Sequence, residues 1–179
     1  MKTTQILIAG FGGQGILFAG KFLAYKGLME DLQVSWLPSY GPEMRGGTAN
    51  CNVILSETPV GSPIVTQPDV LIAMNLPSLQ KYVDTVAPGG QIYVDSALID
   101  VKVQRDDVEV FYIPATQLAK DQGIASLANM IIVGALLEHN PQLSFDGVEA
   151  VVSNLVPPKK AALIELNMKA LLLGKEYCP

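Results

Sequence analysis

Two glycine-rich segments hold the residues whose types and spacing could do chemistry. The first, Gly10-Phe-Gly-Gly-Gln-Gly15, follows a short apolar run, Gln5–Ala9, and precedes a helical pattern over Ile16–Gly27. In that setting Gly10-x-Gly12-x-x-Gly15 permits a tight turn. It lets a phosphate approach the helix amino terminus, where free N–H groups and the helix dipole favour an anion. Gly13 allows a further close backbone approach, and Gln14 adds an amide that can both donate and accept. The second segment is Ser39-Tyr40-Gly41-Pro42-Glu43-Met44-Arg45-Gly46-Gly47. Gly41, Gly46 and Gly47 free the backbone there, and Pro42 stiffens the turn between them. Glu43 and Arg45 are two residues apart, so in extended chain they point the same way and can serve one recognition face. Arg45 is one of only two arginines. Tyr40, Met44 and Arg45 are residue types enriched at interfaces. The plainer alternatives are a surface loop without a role, and glycines that only let the first helix pack tightly on a sheet.

The remaining candidates are few. A dinucleotide site needs an acid at the end of the second strand to hold the ribose. Here that strand runs into Leu37-Pro38-Ser39, and Glu30 and Asp31 precede it. NAD(P) is therefore disfavoured. No Ser-His-Asp arrangement with a nucleophile elbow is present. Cys51 has no neighbour in sequence that would lower its pKa and suits a buried strand thiol. The single histidine, His139, suits a helix end. Asp95-Ser96 is expected to cap the segment after it, and Asp106-Asp107 to form a solvated turn. Asn75, at the carboxyl end of a strand, is a candidate ligand contact. Catalytic residues are thus not expected in this chain.

The elements that must position these residues alternate between strand and helix. Strands are expected at Gln5–Ala9, Gln33–Leu37, Ala49–Leu55, Asp69–Met74, Gln91–Asp95 and Val108–Ile113. Val60–Val65 is expected to pair with Ala49–Leu55 as an antiparallel ribbon, kept to an edge by Pro59 and Pro63. Helices are expected at Ile16–Gly27, with Gly27 as its stop, and at Ser78–Val86. Another is expected from Ala115–Asp121 running on through Leu127–Glu138, followed by Asp146–Ser153 and Pro158–Leu173. In the last, Leu163, Leu166, Ala170 and Leu173 are expected to share the buried face. The fold class is α/β: a Rossmann-like wound sheet, mostly parallel with an antiparallel ribbon, helices on both faces. One domain spans residues 1–179, with its C-terminal helices at about 115–174. Because ligands of such sheets bind at the carboxyl ends of the strands, both glycine-rich segments should share one rim.

Totals exclude several classes. A net charge of −5 with scattered lysines argues against nucleic acid. Two cysteines and one histidine make neither a disulfide framework nor a zinc or iron–sulfur pattern. The start, Met1–Gln5, is expected to lead directly into a strand rather than a signal peptide. No apolar run reaches the ~20 residues of a membrane span. A reduced cytoplasmic setting follows as the default.

In this order, Gly10–Gly15, Ser39–Gly47, Asp69 before Leu71-Ile72-Ala73, and Pro88-Gly-Gly-x-Ile-x-Val-Asp-Ser96 make a specific combination. It resembles the gamma subunit of 2-oxoacid:ferredoxin (or acceptor) oxidoreductases, closest to the 2-oxoglutarate enzyme, over nearly the whole chain. The resemblance implies a complex that oxidatively decarboxylates a 2-oxoacid to its acyl-CoA. Thiamine diphosphate, Mg and iron–sulfur clusters would lie in the alpha, beta and possibly ferredoxin-like delta subunits, with ferredoxin or a similar acceptor as electron sink. It further implies that this chain holds no cofactor firmly, completes the assembly, and helps to cover or contact coenzyme A through Gly12, Gly13, Gln14 and Arg45. A pyruvate or branched-chain 2-oxoacid enzyme, a stand-alone nucleotide-binding oxidoreductase, a ligand-free scaffold, and a homodimer of the isolated chain stay open.

Overall fold

A computed structural model describes residues 2–39 and 48–177. Tyr40, Gly41, Pro42, Glu43, Met44, Arg45, Gly46 and Gly47 lie outside the described residues, as does Cys178. Six strands form one sheet: β1 (Thr3–Phe11), β2 (Gln33–Ser39), β3 (Thr48–Ser56), β4 (Val70–Ala73), β5 (Gln91–Asp95) and β6 (Glu109–Ile113), in the spatial order β2-β3-β1-β4-β5-β6. The pairs β1–β4, β4–β5 and β5–β6 are parallel, whereas β3 lies antiparallel between β1 and β2. The helices are α1 (Ile16–Met29), α2 (Leu76–Tyr82), α3 (Ala115–Asp121), α4 (Ala128–His139), α5 (Val148–Leu155) and α6 (Ala162–Tyr177).

The strands alternate sides as their side-chain period requires. Ile6, Ile8, Ile72, Tyr93 and Phe111 face a large core shared with α1 and α3–α6. Leu7, Leu71, Ile92 and Val94 face a smaller core under α2 and the coil after β5. Burial on both faces explains why β4 and β5 lack a polar side. Arg105 pins that coil. Its Nη1 donates to the Val83 and Val86 carbonyls at 2.9 and 2.8 Å, and its guanidinium pairs with Asp107.

Several expectations are corrected. Residues 57–69 form no strand, so Val60–Val65 does not pair with β3. The antiparallel partners of β3 are β1 and β2 instead. Pro59 and Pro63 had left little ladder to form. Gly27 does not stop α1. The helix continues to Met29, and a Cβ at Gly27 would stand 2.5 Å from Leu55 Cδ2, so the residue is there for close packing on β3. The stop is Glu30, followed by Asp31 at φ 57°. Gly123 (φ 71°) and a 3₁₀ turn at Ala125–Leu127 break the long C-terminal helix into α3 and α4. On α6, Leu166 is exposed, and the buried face is Asn167, Ala170, Leu171 and Gly174.

The helix α4 is buried at every residue from Ala128 to Leu137, and α6 lies directly on it. A Cβ at Gly134 would meet the Leu171 carbonyl oxygen at 2.0 Å, and one at Gly174 would meet the Ile131 carbonyl oxygen at 1.8 Å. Two helix backbones therefore touch with no side chain between them. Gly174→Ala must part them, and overpacking of this kind costs about 1–3 kcal/mol. Thermal unfolding should show a Tm roughly 5–10 °C below that of the natural chain. Gly61→Ala, where a Cβ meets nothing within 4 Å, should leave Tm unchanged.

Candidate functional site

The turn from β1 to α1 spans four residues, Gly12 to Gly15, and one side chain organises it. Gln14 Oε1 accepts from the Phe11 N–H at 2.6 Å, and Gln14 Nε2 donates to the Met74 carbonyl at 2.9 Å. The amide expected to be offered to a ligand is thus largely engaged in tying the loop to the end of β4. Gly10 and Gly15 are glycines because of their neighbours. A Cβ at Gly10 would meet Gln14 Oε1 at 2.6 Å, and one at Gly15 would meet Asn129 Nδ2 at 2.4 Å. The tight-packing explanation therefore holds for these two. Gly13 differs: its φ is 94° and a Cβ would find no atom within 4 Å. Its backbone faces open space beside the amino end of α1. That end has no side-chain cap and no acid in its first turn, so its N–H groups remain available to an anion.

Asn129 on α4 completes the turn. It is 3% exposed, and its Nδ2 donates to the Gly15 carbonyl at 3.0 Å. The sequence reading passed over it; the only signal was a polar residue inside an otherwise apolar helix.

The register places the other candidates. Ala9 and Ser39 both pair with Asn50, and Phe11 pairs with Thr48. Ser39 and Thr48, the residues flanking 40–47, thus end on the rim that carries Gly10–Gly15. Asn75 stands on the same rim but is 2% exposed and caps α2, its Oδ1 accepting from the Ser78 N–H at 2.8 Å. Its Nδ2 and the Ser78 hydroxyl are buried without partners. A cap is its evident role, and a ligand would have to uncover it. Asp95 is wholly buried and accepts from the Ala97 N–H, the Thr116 N–H and the Thr116 hydroxyl. It ties the end of β5 to the start of α3, the capping role expected of it.

Among the described residues, no activated nucleophile is evident on the rim. Burial pushes the Cys51 thiol up to about 12, with the Trp36 indole and the Gly20 main chain only partly offsetting it. His139 ends α4, with Nδ1 3.2 Å from the Ala135 carbonyl and its ring against Phe111. Among the described residues, no group of three or more His, Cys, Asp or Glu side chains could hold a metal ion. No described helix is long and apolar enough to cross a membrane.

Two outcomes follow. Cys51 should resist iodoacetamide at pH 8 until the chain unfolds, as read by peptide mapping that separates it from Cys178. Rapid native alkylation would contradict its burial. Gln14→Leu should lose both tethers and about 1–2 kcal/mol of stability. Hydrogen exchange should then speed up at residues 11–16 and stay unchanged on α6.

Comparison with known proteins places this architecture. Residues 5–177 match the family described as pyruvate ferredoxin/flavodoxin oxidoreductase. The chain is 38% identical to ketoisovalerate oxidoreductase subunit VorA of Methanothermobacter thermautotrophicus over 97% of its length, but it spans only 36% of that protein. It is 37% identical to 2-oxoglutarate synthase subunit KorC of Methanothermobacter marburgensis, covering 96% of this chain and 95% of that one. Among solved structures, it is similar to the gamma subunit of a keto/oxoacid ferredoxin oxidoreductase from Geobacter sulfurreducens. That match has 32% identity and a TM-score of 0.85 over 98% and 96% of the two chains. It is also similar to part of the 2-oxoglutarate:ferredoxin oxidoreductase from Magnetococcus marinus, a structure with 2-oxoglutarate, coenzyme A and succinyl-CoA bound. There the identity is 28% and the TM-score 0.87, over 98% of this chain and 31% of that one. The chain belongs to the pyruvate ferredoxin/flavodoxin oxidoreductase family.

Proposed function

We propose that this chain is the gamma subunit of a 2-oxoglutarate:ferredoxin (acceptor) oxidoreductase. In this reading it completes the complex and contacts coenzyme A at the carboxyl rim of its sheet. The observation that carries the proposal is the rim itself. Gly13 opens to space beside a helix amino end that lacks a side-chain cap and a first-turn acid, and no activated nucleophile is evident there among the described residues. Such a surface can hold an anionic ligand or a partner, but it cannot perform acid–base or nucleophilic chemistry. The near full-length likeness to KorC and to a gamma subunit supports the assignment. The higher identity to VorA keeps a branched-chain 2-oxoacid as the second reading.

Thiamine diphosphate with Mg, and the iron–sulfur clusters, do not fit this chain. It has two cysteines in all, and its described residues offer no metal-binding group. In this reading these groups fall to the alpha, beta and ferredoxin-like subunits. For coenzyme A, the supporting feature of the rim is the helix amino end beside Gly13. The coenzyme A thiol receives the acyl group, while this chain would hold a phosphate at Gly12, Gly13 and the first turn of α1. Arg45, in the segment whose flanks Ser39 and Thr48 end on the same rim, would supply the second contact to a phosphate or to an acid of a partner. The setting proposed is the reducing cytoplasm, where Cys51 stays a thiol.

The test is reconstitution with co-purified partner subunits. Gly13→Ala adds a side chain where nothing packs, at a φ that disfavours it by about 1–2 kcal/mol, so the variant should fold. In the assembled enzyme, Gly13→Ala and Arg45→Ala should each raise KM for CoA several-fold or weaken assembly, leaving KM for the 2-oxoacid unchanged. CoA should also slow hydrogen exchange at residues 12–18. Normal assembly and normal CoA kinetics in both variants would overturn the proposed contact. Preferential turnover of 2-oxoisovalerate over 2-oxoglutarate would favour the second reading.

A further inference from the structure

Beside the amino end of α1 lies a cavity of about 280 Å³, bounded by Gly15 and Phe18 of α1, Asn129 of α4, Leu155 and Val156 after α5, and Lys160, Leu163 and Asn167 at α6. Two of these residues pose an unsolved problem. Asn129 and Asn167 are 3% and 2% exposed. Each spends its Nδ2 on a main-chain carbonyl, Gly15 at 3.0 Å and Leu163 at 2.7 Å. Each then leaves its Oδ1 buried with no donor. A buried acceptor without a partner is unfavourable, and a native fold keeps few of them. Here two stand in the wall of one cavity, in elements of sequence far apart.

Around them the wall is mostly apolar, with Ser126 as a further polar residue, and includes one aromatic ring, Phe18. No acidic residue lines it. The charges that reach it are positive: Lys160, and the uncapped amino end of α1, whose N-cap Gly15 is part of the wall. That combination excludes a cation. It suits a flat, apolar group that carries N–H donors and is joined to an anion. The size is at the low end of small-molecule pockets, roughly 300–1,000 Å³, enough for one heteroaromatic base rather than a whole cofactor. A larger groove of about 530 Å³ between α5 and α6 is lined by Glu149, Glu165 and Glu176 against one cation, Lys169, and its net negative charge disfavours the same ligand.

We infer that this cavity is a subsite for the aminopurine of an adenine nucleotide. The exocyclic amine donates to the amide oxygens of Asn129 and Asn167, and the phosphate lies toward Lys160 and the amino end of α1. Both oxygens are shielded from solvent, so the base enters with a side-chain shift of the wall, where Leu163 is half-buried and Lys160 exposed. The inference deepens the proposed contact with coenzyme A, whose nucleotide half has this chemistry, and rests on that reading only for the identity of the natural ligand.

The probes are AMP, IMP and inorganic phosphate, added to the ¹⁵N-labelled full chain and followed through the side-chain amide resonances of Asn129 and Asn167. AMP should shift both. IMP, of equal charge but with a carbonyl in place of the amine, should bind at least about tenfold more weakly, and phosphate should leave Asn167 unmoved. Lys160→Ala, at an exposed position, should weaken AMP about threefold or more. Asn167→Leu, which removes one unpaired oxygen, should abolish the AMP–IMP difference. Equal binding of AMP and IMP, binding of phosphate alone, or no shift at either asparagine would overturn the subsite. If AMP fails here while CoA still protects residues 12–18 in the complex, the subsite is wrong and the CoA contact stands. If AMP binds here while CoA protects nothing in the complex, the subsite stands and its natural ligand is another adenine nucleotide.

Discussion

The structure depends on how β1 gives way to α1. β1 joins the antiparallel part of the sheet, β3 and β2, to the parallel part, β4 to β6. The chain must leave it in four residues without opening a gap beside β4. Gln14 resolves this by closing the turn on the Phe11 N–H and reaching across to the Met74 carbonyl. Asn129 then fixes the Gly15 carbonyl from α4. Two strands and two helices are thereby held at one turn by three hydrogen bonds, none from a charged group. The direction of α1 follows, and with it the surface that receives α4 and, across Gly134 and Gly174, α6.

The reversed strand β3 has a functional consequence. In a sheet with only right-handed crossovers, a segment after β2 would travel over a face before re-entering. Here β2 and β3 are antiparallel neighbours, so residues 39 and 48 sit at the same level as the glycine turn. The rim is therefore built from main chain and loop ends. The polar side chains that approach it, Asn75 and Asp95, are spent on capping α2 and holding α3. This suits a subunit that contributes shape and N–H groups while other chains contribute reactive groups.

The parts legible in the sequence were those where one local signal had no competitor. Continuous apolar runs gave β4 and β5 within a residue, and Gly10–Gly15 between a strand and a helix marked the turn. Local signals failed where packing decided. Gly27 reads as a helix stop in isolation, but Leu55 on β3 makes it a contact glycine. Leu166 fits an apolar stripe, yet the approach of α4 turned α6 so that Asn167 and Gly174 face inward. Val60–Val65 has strand composition, but β1 and β2 had already taken both edges of β3. The asparagines of the cavity could not be found from spacing, because 129 and 167 meet only through the α4–α6 contact. Each could have been flagged only as a polar residue on a buried helical face.

The chain is acidic, at −5, and the proposed ligand at its rim is an anion. The two facts are compatible because charge acts locally. At physiological salt the Debye length is about 8 Å, so exposed charges farther apart than that are largely screened, and Asp95 is buried and engaged by N–H and O–H donors rather than offered to a ligand. What remains at the rim is the partial charge of one helix end, about half an elementary charge, with Lys160 nearby. That is too little for tight capture of a multiply charged ligand by this chain alone. In the proposed complex, this chain's own Arg45 together with groups of a partner subunit would supply the rest. Weak intrinsic attraction fits the proposed role: a nucleotide bound firmly by the free chain would occupy the surface on which the proposed complex closes.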